Sequence, residues 1–161
     1  MEYAPDQLAP RERYKVLASF VLPRPIAWVT SMSPTGVVNA APYSFFNVFC
    51  EDPPLCMFAV NRRADGGTKD TLVNIQRTGE FVVNLADEPL ARAMHESSGD
   101  FPPDIGEPNY LGLKLAPSSK VAVPRPWPPP SGVRRSTPGS SRAAAPPMSS
   151  PAGPPRASTS G

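Results

Sequence analysis

The amino-acid composition changes abruptly near Pro126, and this change limits what the chain can fold into. Of the 161 residues, the last 36 hold 10 Pro, 8 Ser, 5 Ala, 4 Gly and 4 Arg, and no Asp, Glu, Lys, Leu, Ile, Phe or Tyr. Such a segment buries too little apolar surface to offset the entropy that ordering costs. We therefore predict one small folded domain over residues 1–125 and a disordered tail over residues 126–161.

The tail also carries the excess positive charge of the chain. It holds four Arg and no acidic residue, whereas residues 1–125 hold 12 basic and 14 acidic side chains, a net charge of −2. The folded part shows no Lys/Arg-rich run of the kind that binds nucleic acid. We find no apolar run of membrane-spanning length and no N-terminal apolar segment. We therefore expect no membrane span, no signal peptide and a cytoplasmic protein.

The reactive side chains form no catalytic or metal-binding motif. Cys50 and Cys56 lack metal-ligand spacing, and the single His95 is far from them in sequence. Two thiols in a reducing compartment are expected rather than a disulfide or a metal site. His95 lies on a predicted helix face, where a surface or packing role is favoured over acid–base catalysis. The chain also has no G-x-G-x-x-G or G-x-x-x-x-G-K-[ST] phosphate-binding sequence.

The pattern of apolar and turn-forming residues predicts a mainly β protein with inserted helices. Strands over residues 26–32 and 37–41 flank the turn sequence Ser-Pro-Thr-Gly, which predicts a hairpin. The helices are too few for a repeating βαβ pattern, so antiparallel sheets are expected. The other predicted elements are strands at 55–61 and 80–86, short strands at 110–115 and 121–123, helices at 11–20 and 88–95, and an irregular segment at 42–49.

A further helix is predicted to begin near Thr68 and to end at Gly79. Thr68 is a good N-cap residue, and Asp70 suits the positive end of the helix dipole. Leu72 and Ile75 are predicted to share the inward face. Gly79 can adopt the left-handed conformation in which helices commonly end.

Three clusters of residues could each address part of a phosphorylated aromatic ligand. The hydroxyls of Thr30 and Ser31, at a strand end, can donate to phosphate oxygens, although this piece of sequence alone favours a pair that merely begins a turn. The small residues of the segment 39–47 allow close approach of a planar ring to the backbone, or they could form a core-packing loop. Arg62 and Lys69 flank the predicted helix start, which can bind an anion or simply be a capped helix with solvated cations.

The order of these segments resembles the flavin reductase-like family of FMN-binding split barrels. The stretches that carry the resemblance are RPIAWVTS, NAAPYSFFN, DPP, Arg62, TKDTLVN and EFVVNL, within residues 10–125. The resemblance implies an antiparallel Greek-key barrel, incomplete here at its C-terminus. It also implies a homodimer with FMN held near the subunit interface.

The resemblance further implies which residues contact FMN. A carboxylate repels phosphate, so Asp70 is assigned to helix capping or to a ribityl hydroxyl. No catalytic side chain is assigned, because the cofactor carries the chemistry. The implied contacts are Thr30 and Ser31 toward the phosphate and ribityl chain, Ala41, Pro42, Tyr43, Ser44 and Asn47 along the isoalloxazine, and Arg62, Lys69, Asp70 and Thr71 around the phosphate end.

The chemistry that the resemblance implies is hydride transfer from NADH or NADPH to flavin N5. The expected function is a flavin reductase that supplies reduced flavin to an oxygenase component or another electron acceptor. An FMN-binding electron carrier that does not use nicotinamide is the first alternative. Oxidation of NADH or NADPH in the presence of FMN distinguishes the two.

A non-functional fragment is the second alternative. In the family, the residues after Val-Pro-Arg lead into further strands, whereas here they read Trp-Pro-Pro-Pro-Ser-Gly. GC-rich codons read out of register yield such a composition, so a frameshift between Pro124 and Trp127 is one explanation and a natural Pro-rich extension is the other. A barrel without its last strands would expose unpaired edges. In that case we expect poor solubility or no stable FMN binding.

Overall fold

The structure, a computed structural model, describes residues 4–127. Most of the segment that is predicted to be disordered, residues 128–161, lies outside the described residues. The described part contains a 3-10 turn at Pro5–Gln7, four α-helices and seven strands. In chain order these are α1 (Pro10–Phe20), β1 (Ala27–Met32), β2 (Val38–Tyr43), β3 (Phe46–Glu51), β4 (Pro54–Phe58), α2 (Asp70–Thr78), β5 (Val82–Asn84), α3 (Glu88–Glu96), α4 (Glu107–Tyr110), β6 (Lys114–Ala116) and β7 (Arg125–Trp127).

The strands form antiparallel pairs, which confirms the predicted mainly β fold with inserted helices. β1 lies at the centre of a three-stranded sheet, between β2 and β5. The predicted hairpin is present, with Ala27 opposite Tyr43 and Met32 opposite Val38. Its turn needs a glycine, since Gly36 has a φ of 87°. Two further two-stranded sheets pair β3 with β4 and β6 with β7.

Residues 42–49 are extended except for a bend at residues 44–45, which corrects the prediction of an irregular segment. β2 continues to Tyr43, and β3 begins at Phe46. Aromatic and β-branched residues suit a pleated strand, and β4 supplies the partner that the local sequence does not reveal. The two strands are joined across residues 52–53, which form a turn.

Helix α2 differs from its prediction in where it begins and in which face it buries. It begins at Asp70 with Lys69 as the N-cap, and no side chain caps it. Its fully buried residues are the polar Thr71 and Asn74 rather than Leu72 and Ile75, which are half-buried. Gly79 ends the helix as predicted, with a φ of 72°. Polar residues face inward here because the underlying sheet offers them hydrogen-bond partners.

Those partners are side chains of β1 and β2. The Asn74 amide donates to the Ser31 hydroxyl at 3.2 Å. The side chains of Asn39 and Thr71 are hydrogen-bonded at 2.8 Å. Buried polar groups paired in this way avoid the desolvation cost of an unmade bond. The network therefore fixes the start of α2 against the end of the central hairpin.

The last predicted strands are shifted along the chain. β6 overlaps only the end of the first predicted strand, 110–115, and β7 begins two residues after the second, 121–123. α4 occupies the start of the first segment, and β6 pairs with β7 instead. β7 also takes in Pro126 and Trp127, the first two residues of the predicted tail. Three-residue strands carry too little local pattern to fix their bounds from sequence.

The core is built on both faces of β1. On one face, Ala27 and Val29 pack with Tyr43 and with half-buried aromatic residues from β3, β4 and the segment before β5. On the other face, Trp28 packs with Ala40 and with Leu90 of α3. The Trp28 indole N–H donates to the Ser97 hydroxyl at 3.0 Å, so one buried residue ties the sheet to the end of α3. Among residues 4–127, no helix combines the length and apolarity needed to cross a bilayer.

α4 covers the outer edge of β2, and Gly106 sets how closely it approaches. A Cβ at Gly106 would lie 2.4 Å from the Val38 carbonyl oxygen, a backbone atom that cannot turn away. We expect Gly106→Ala to lower the free energy of unfolding by about 1–3 kcal/mol, as overpacking does. Urea denaturation would measure the loss.

Gly67→Ala is the matched control for this prediction. There the new Cβ would meet the Asp65 carboxylate oxygen at 2.9 Å, and this flexible side chain can move. A Gly106→Ala variant no less stable than Gly67→Ala would contradict the close approach of α4 to β2.

Candidate functional site

Three adjoining depressions lie where β2 ends and α2 begins. The first, which we call the inner cleft, has a volume of about 130 Å³. It is formed by the end of β2, the start of α2 and the loop that follows α3. Its lining comprises Asn39, Ala41, Pro42, Tyr43, Arg63, Lys69, Asp70, Thr71, Ser97, Ser98, Gly99, Asp100, Phe101 and Glu107.

The second depression, the aromatic cleft, has a volume of about 230 Å³. It shares Pro42, Tyr43 and Lys69 with the inner cleft, so the two adjoin. Lys69 is the one charged residue in its lining. The full lining is Tyr14, Pro42, Tyr43, Ser44, Phe45, Ala59, Asn61 and Lys69.

The third depression, the arginine groove, has a volume of about 950 Å³ and runs along α1. It shares Tyr14, Phe45 and Asn61 with the aromatic cleft and Arg63 with the inner cleft. Its lining comprises Pro10, Arg11, Arg13, Tyr14, Leu17, Phe45, Asn61, Arg62, Arg63 and Ala64.

Most of the residues selected from the sequence line these depressions. The ones brought together are Ala41, Pro42, Tyr43, Ser44, Arg62, Lys69, Asp70 and Thr71. Three selected residues, Thr30, Ser31 and Asn47, line none of the three depressions. The end of β2 at Pro42 and Tyr43 and the start of α2 therefore face one region of the surface.

Thr30 and Ser31 lie beneath this region rather than in it. Both are fully buried in β1. The Thr30 hydroxyl donates to the Pro124 carbonyl at 2.9 Å and accepts from the Asn84 amide at 3.2 Å. The Ser31 hydroxyl accepts from Asn74 of α2. Within one subunit, both hydroxyls are used to hold protein segments together.

Asn47 lies apart from the depressions, exposed on β3. Its side-chain carbonyl accepts from the backbone N–H of Val48 at 2.8 Å. It stands opposite Met57 of β4. Because the β3–β4 sheet is separate from the central sheet, Asn47 does not join the other selected residues.

Asp70 is neutralised by a residue that the sequence analysis did not select. Its carboxylate lies 2.5 Å from the Arg63 guanidinium, and both side chains are about three-quarters buried. The pair replaces the predicted role of Asp70 as a helix cap, since α2 has no side-chain cap. Neutralising Asp70 removes the charge that would repel an anion at the start of α2.

Tyr43 borders both clefts and has an unusual hydroxyl. Its Oη atom is buried and has no hydrogen-bond partner among residues 4–127. Burial raises the pKa of this hydroxyl, and the nearby Thr71 hydroxyl opposes the rise. Tyr43 is therefore a protonated donor beside the inner cleft, with the Thr71 hydroxyl as its near polar neighbour. Buried polar groups without partners are rare in native proteins and point to a missing ligand or water.

Glu107 forms the polar floor of the inner cleft. Its carboxylate accepts from the backbone N–H of Ala40 at 2.9 Å, on the free edge of β2. With its nitrogen turned toward Glu107, the Asn39 carboxamide donates to the carboxylate at 3.2 Å and accepts from Thr71. Burial raises the pKa of Glu107, and the Ala40 N–H opposes the rise.

This raised pKa makes stability depend on pH. The folded state holds the Glu107 proton more tightly than the unfolded state, whose pKa is near 4.5. The contribution of Glu107 to the free energy of unfolding is therefore largest below that pH and is lost as the pH rises through the raised pKa. We expect Glu107→Gln to remove this decline while keeping an acceptor for Ala40. Urea denaturation of wild type and Glu107→Gln at several pH values would compare the pH dependence of the two free energies of unfolding.

A second substitution separates the hydrogen bond from the charge. Glu107→Ala leaves the Ala40 N–H without its partner and should cost about 1–3 kcal/mol at every pH. If wild type and Glu107→Gln instead showed parallel pH profiles of stability, the titration of Glu107 would play no part.

The residues that the sequence analysis missed come from three places. Arg63 lies next to Arg62, which was selected. The sequence therefore indicated a cation in this segment but not which of the two arginines pairs with Asp70. Asn39 lies in the selected segment without being chosen. Ser97 and Glu107 follow α3 at a long sequence distance and have no local motif, so only the fold brings them in.

A family model described as a flavin reductase like domain matches residues 19–127. Two solved structures are similar in sequence as well. The 2-nitrobenzoate 2-nitroreductase of Pseudomonas fluorescens is 42% identical, with a TM-score of 0.71 over 81% of this chain and 61% of that chain. Nitrilotriacetate monooxygenase component B from Bacillus cereus is 37% identical, with a TM-score of 0.73 over 79% of this chain and 62% of that chain.

A more distant structure shows the fold alone. A Shewanella frigidimarina protein with a split barrel domain is 19% identical, with a TM-score of 0.65 over 80% of this chain and 64% of that chain. The predicted split-barrel fold is thereby confirmed. The chain spans about three fifths of the length of the first curated relatives that it matches.

Proposed function

The chain belongs to the flavin reductase-like domain family of flavin-related oxidoreductases, and from this we propose that it binds FMN and reduces it with NADH or NADPH. The observation that carries the proposal is the pair of adjoining clefts at Pro42, Tyr43 and Lys69. They combine an aromatic wall with a cation at a helix start, and a phosphorylated ring system needs both features.

The aromatic cleft suits the isoalloxazine ring. Pro42, Tyr43 and Ser44 form one wall, where β2 ends and the backbone turns toward β3. Tyr14 and Phe45 add aromatic surface against which a planar heterocycle can stack. The Tyr43 hydroxyl lies near Thr71 and Glu107 of the inner cleft, and we propose it as a donor to the flavin where the two clefts adjoin. The residues present therefore fit a flavin.

The start of α2 suits the phosphate end. Lys69 precedes the helix, and the first N–H groups of a helix together with its dipole favour an anion. Arg62 lies nearby in the arginine groove, and Arg63 neutralises Asp70. We propose that Lys69, Thr71 and Arg62 hold the phosphate.

When bound, FMN supplies the hydride acceptor, and the protein supplies position and electrostatics. The wall at Pro42–Ser44 would orient the ring and exclude water from one side. Tyr43, whose hydroxyl keeps its proton, would donate a hydrogen bond to the flavin. We assign Thr30 and Ser31 an indirect role, since their buried hydroxyls hold β1 to α2 and to the segment before β7. Asn47 is assigned no flavin contact within one subunit.

We also propose a homodimer and an electron acceptor. The β3–β4 hairpin exposes Val48, Phe49, Leu55 and Met57, each more than half exposed, and a second copy would cover this apolar surface. Component B of nitrilotriacetate monooxygenase is similar to this chain. That likeness supports a separate oxygenase component as the acceptor of reduced flavin.

Oxidation of NADH and NADPH by the full chain, followed at 340 nm with added FMN, tests the proposed activity. We expect turnover that needs both FMN and the dinucleotide. Flavin binding without oxidation of either dinucleotide would instead identify an electron carrier. Absence of flavin binding would contradict the proposal altogether.

A further inference from the structure

We infer that Glu107 is a positioning residue for the proposed phosphate site, because its protonation state decides whether the Thr71 hydroxyl can donate into the inner cleft. With Glu107 protonated, Thr71 donates to the phosphate, and with Glu107 ionised it does not. This inference rests on the proposed function, in which Thr71 helps to hold the FMN phosphate. It adds a residue of α4 that acts through its neighbours rather than by touching the ligand.

The inference begins with a buried polar cluster in the wall of the inner cleft. Its four members come from three elements and all line the cleft, and they are Asn39 and Tyr43 of β2, Thr71 of α2 and Glu107 of α4. None of them is more than 8% exposed. Because so little of the cluster is open to solvent, its polar atoms must find their partners within it or in the cleft.

Contacts through Asn39 connect Glu107 to Thr71. One Glu107 carboxylate oxygen accepts from the backbone N–H of Ala40 at 2.9 Å. The other oxygen lies 3.2 Å from one end of the Asn39 carboxamide, and the opposite end of that group lies 2.8 Å from the Thr71 hydroxyl. A carboxamide has one donating and one accepting end. The end that Glu107 requires therefore decides which end Thr71 meets.

The ionised and protonated forms of Glu107 require opposite ends. An ionised carboxylate only accepts, so the Asn39 nitrogen faces it and the Asn39 carbonyl faces Thr71. The Thr71 proton is then used on that carbonyl. A protonated Glu107 donates to the Asn39 carbonyl instead, and the Asn39 nitrogen donates to Thr71. The Thr71 proton is then free to point into the cleft.

The other groups at this end of the cleft determine what the free Thr71 proton can serve. Tyr43, which lies near Thr71, keeps its own proton and is therefore a donor rather than an acceptor for Thr71. The cleft also contains Lys69 and the start of α2, which favour an anion. A phosphate oxygen here gains a hydrogen bond from Thr71 only when Glu107 holds its proton.

The charges that face Glu107 allow this proton to be held in milder acid than is usual for a carboxyl group. Burial is the main cause of the raised pKa of Glu107, and the Ala40 N–H of β2 opposes it. Asp70 of α2 raises the pKa and Arg63 lowers it, and these two form an ion pair with each other. A bound phosphate would raise it further, so FMN binding and proton uptake at Glu107 are coupled.

The test compares the full wild-type chain with Glu107→Gln over a series of pH values. The glutamine carboxamide accepts from Ala40 and donates to Asn39, as the protonated acid does. Below the raised pKa the two proteins should bind FMN equally. As the pH rises through it, wild type should become about tenfold weaker than Glu107→Gln, the cost of one charge-assisted hydrogen bond. The phosphate itself also titrates, but equally for both proteins.

Variants of Thr71 separate this route from direct repulsion between the Glu107 carboxylate and the phosphate. Thr71→Ser keeps the hydroxyl and should keep the difference of about tenfold between the Glu107 and Glu107→Gln backgrounds. Thr71→Val has nearly the same size without the hydroxyl and should abolish that difference. Riboflavin has no phosphate, so its affinity should be the same in wild type and Glu107→Gln at every pH.

Three results would overturn the inference and leave the proposed function standing. These are parallel pH profiles of FMN affinity for wild type and Glu107→Gln, a difference that persists in Thr71→Val, and a difference of equal size for riboflavin. If wild type bound neither flavin at any pH, the proposed function would be wrong, and the phosphate site that Glu107 serves would be wrong with it.

Discussion

Replacing Trp28 with alanine is expected to lower the free energy of unfolding by about 3–5 kcal/mol, the usual cost of removing a large buried aromatic side chain. Trp28 is fully buried at the centre of β1. It packs against Ala40 of β2 and Leu90 of α3, so a cavity would open between the sheet and that helix. The Ser97 hydroxyl would also lose the indole donor, although it would still donate to the Met94 carbonyl.

Trp28→Phe is the matched control, because it keeps a ring in the core and removes only the N–H group and part of the volume. We expect it to cost clearly less than Trp28→Ala. Urea denaturation followed by far-ultraviolet circular dichroism would compare the two. A loss below about 1 kcal/mol for Trp28→Ala, the size of a surface effect, would contradict the packing of α3 on the sheet.

Lys69→Glu is expected to weaken FMN binding by more than about a hundredfold, because it removes a charge-assisted contact and adds a repulsive carboxylate. Lys69 is the one charged residue of the aromatic cleft and stands at the start of α2. Lys69→Gln removes the attraction without the repulsion and should cost about tenfold. Quenching of flavin fluorescence on titration with the full chain would measure both.

Lys114→Glu controls for the change in net charge. Lys114 is exposed on β6, outside the three depressions. Reversing the charge of Lys114 should leave FMN affinity within about twofold of wild type, because salt screens the interaction of distant surface charges with the ligand. Equal losses for the two charge reversals would mean that the overall charge, not the site at α2, governs binding.

The parts of the fold that the sequence predicted correctly are set by local chemistry. The central hairpin follows from a Pro-Thr-Gly turn between two strands, and Gly36 adopts the positive φ that this turn requires. Helix α2 ends at Gly79 for an equally local reason. Both features can be read from a few adjacent residues.

The parts that the sequence did not predict depend on distant partners. β3 is extended because β4 pairs with it. Thr71 and Asn74 face inward because they form hydrogen bonds with Asn39 and Ser31 of the sheet. A residue-by-residue reading that places apolar side chains inside cannot find a polar face that is satisfied by hydrogen bonds across the fold.

The candidate site also combines residues that local chemistry identifies with residues whose position depends on the whole fold. Pro42, Tyr43 and Lys69 were found because their types suit a ring and an anion, and the fold brings them to adjoining clefts. The hydroxyls of Thr30 and Ser31 have the right chemistry, but β1 is central and buries them. Strand order, which local sequence does not encode, decides whether a polar side chain faces a cavity or the interior.

A direct test of the central claim compares FMN with riboflavin, which has the same ring and no phosphate. Titrating each into the full chain and following flavin fluorescence gives both affinities. If the clefts at Tyr43 hold the ring and the start of α2 holds the phosphate, FMN binds at least about tenfold more tightly, and Lys69→Gln removes most of that difference. Equal affinity for the two flavins, or no binding of either, would contradict it.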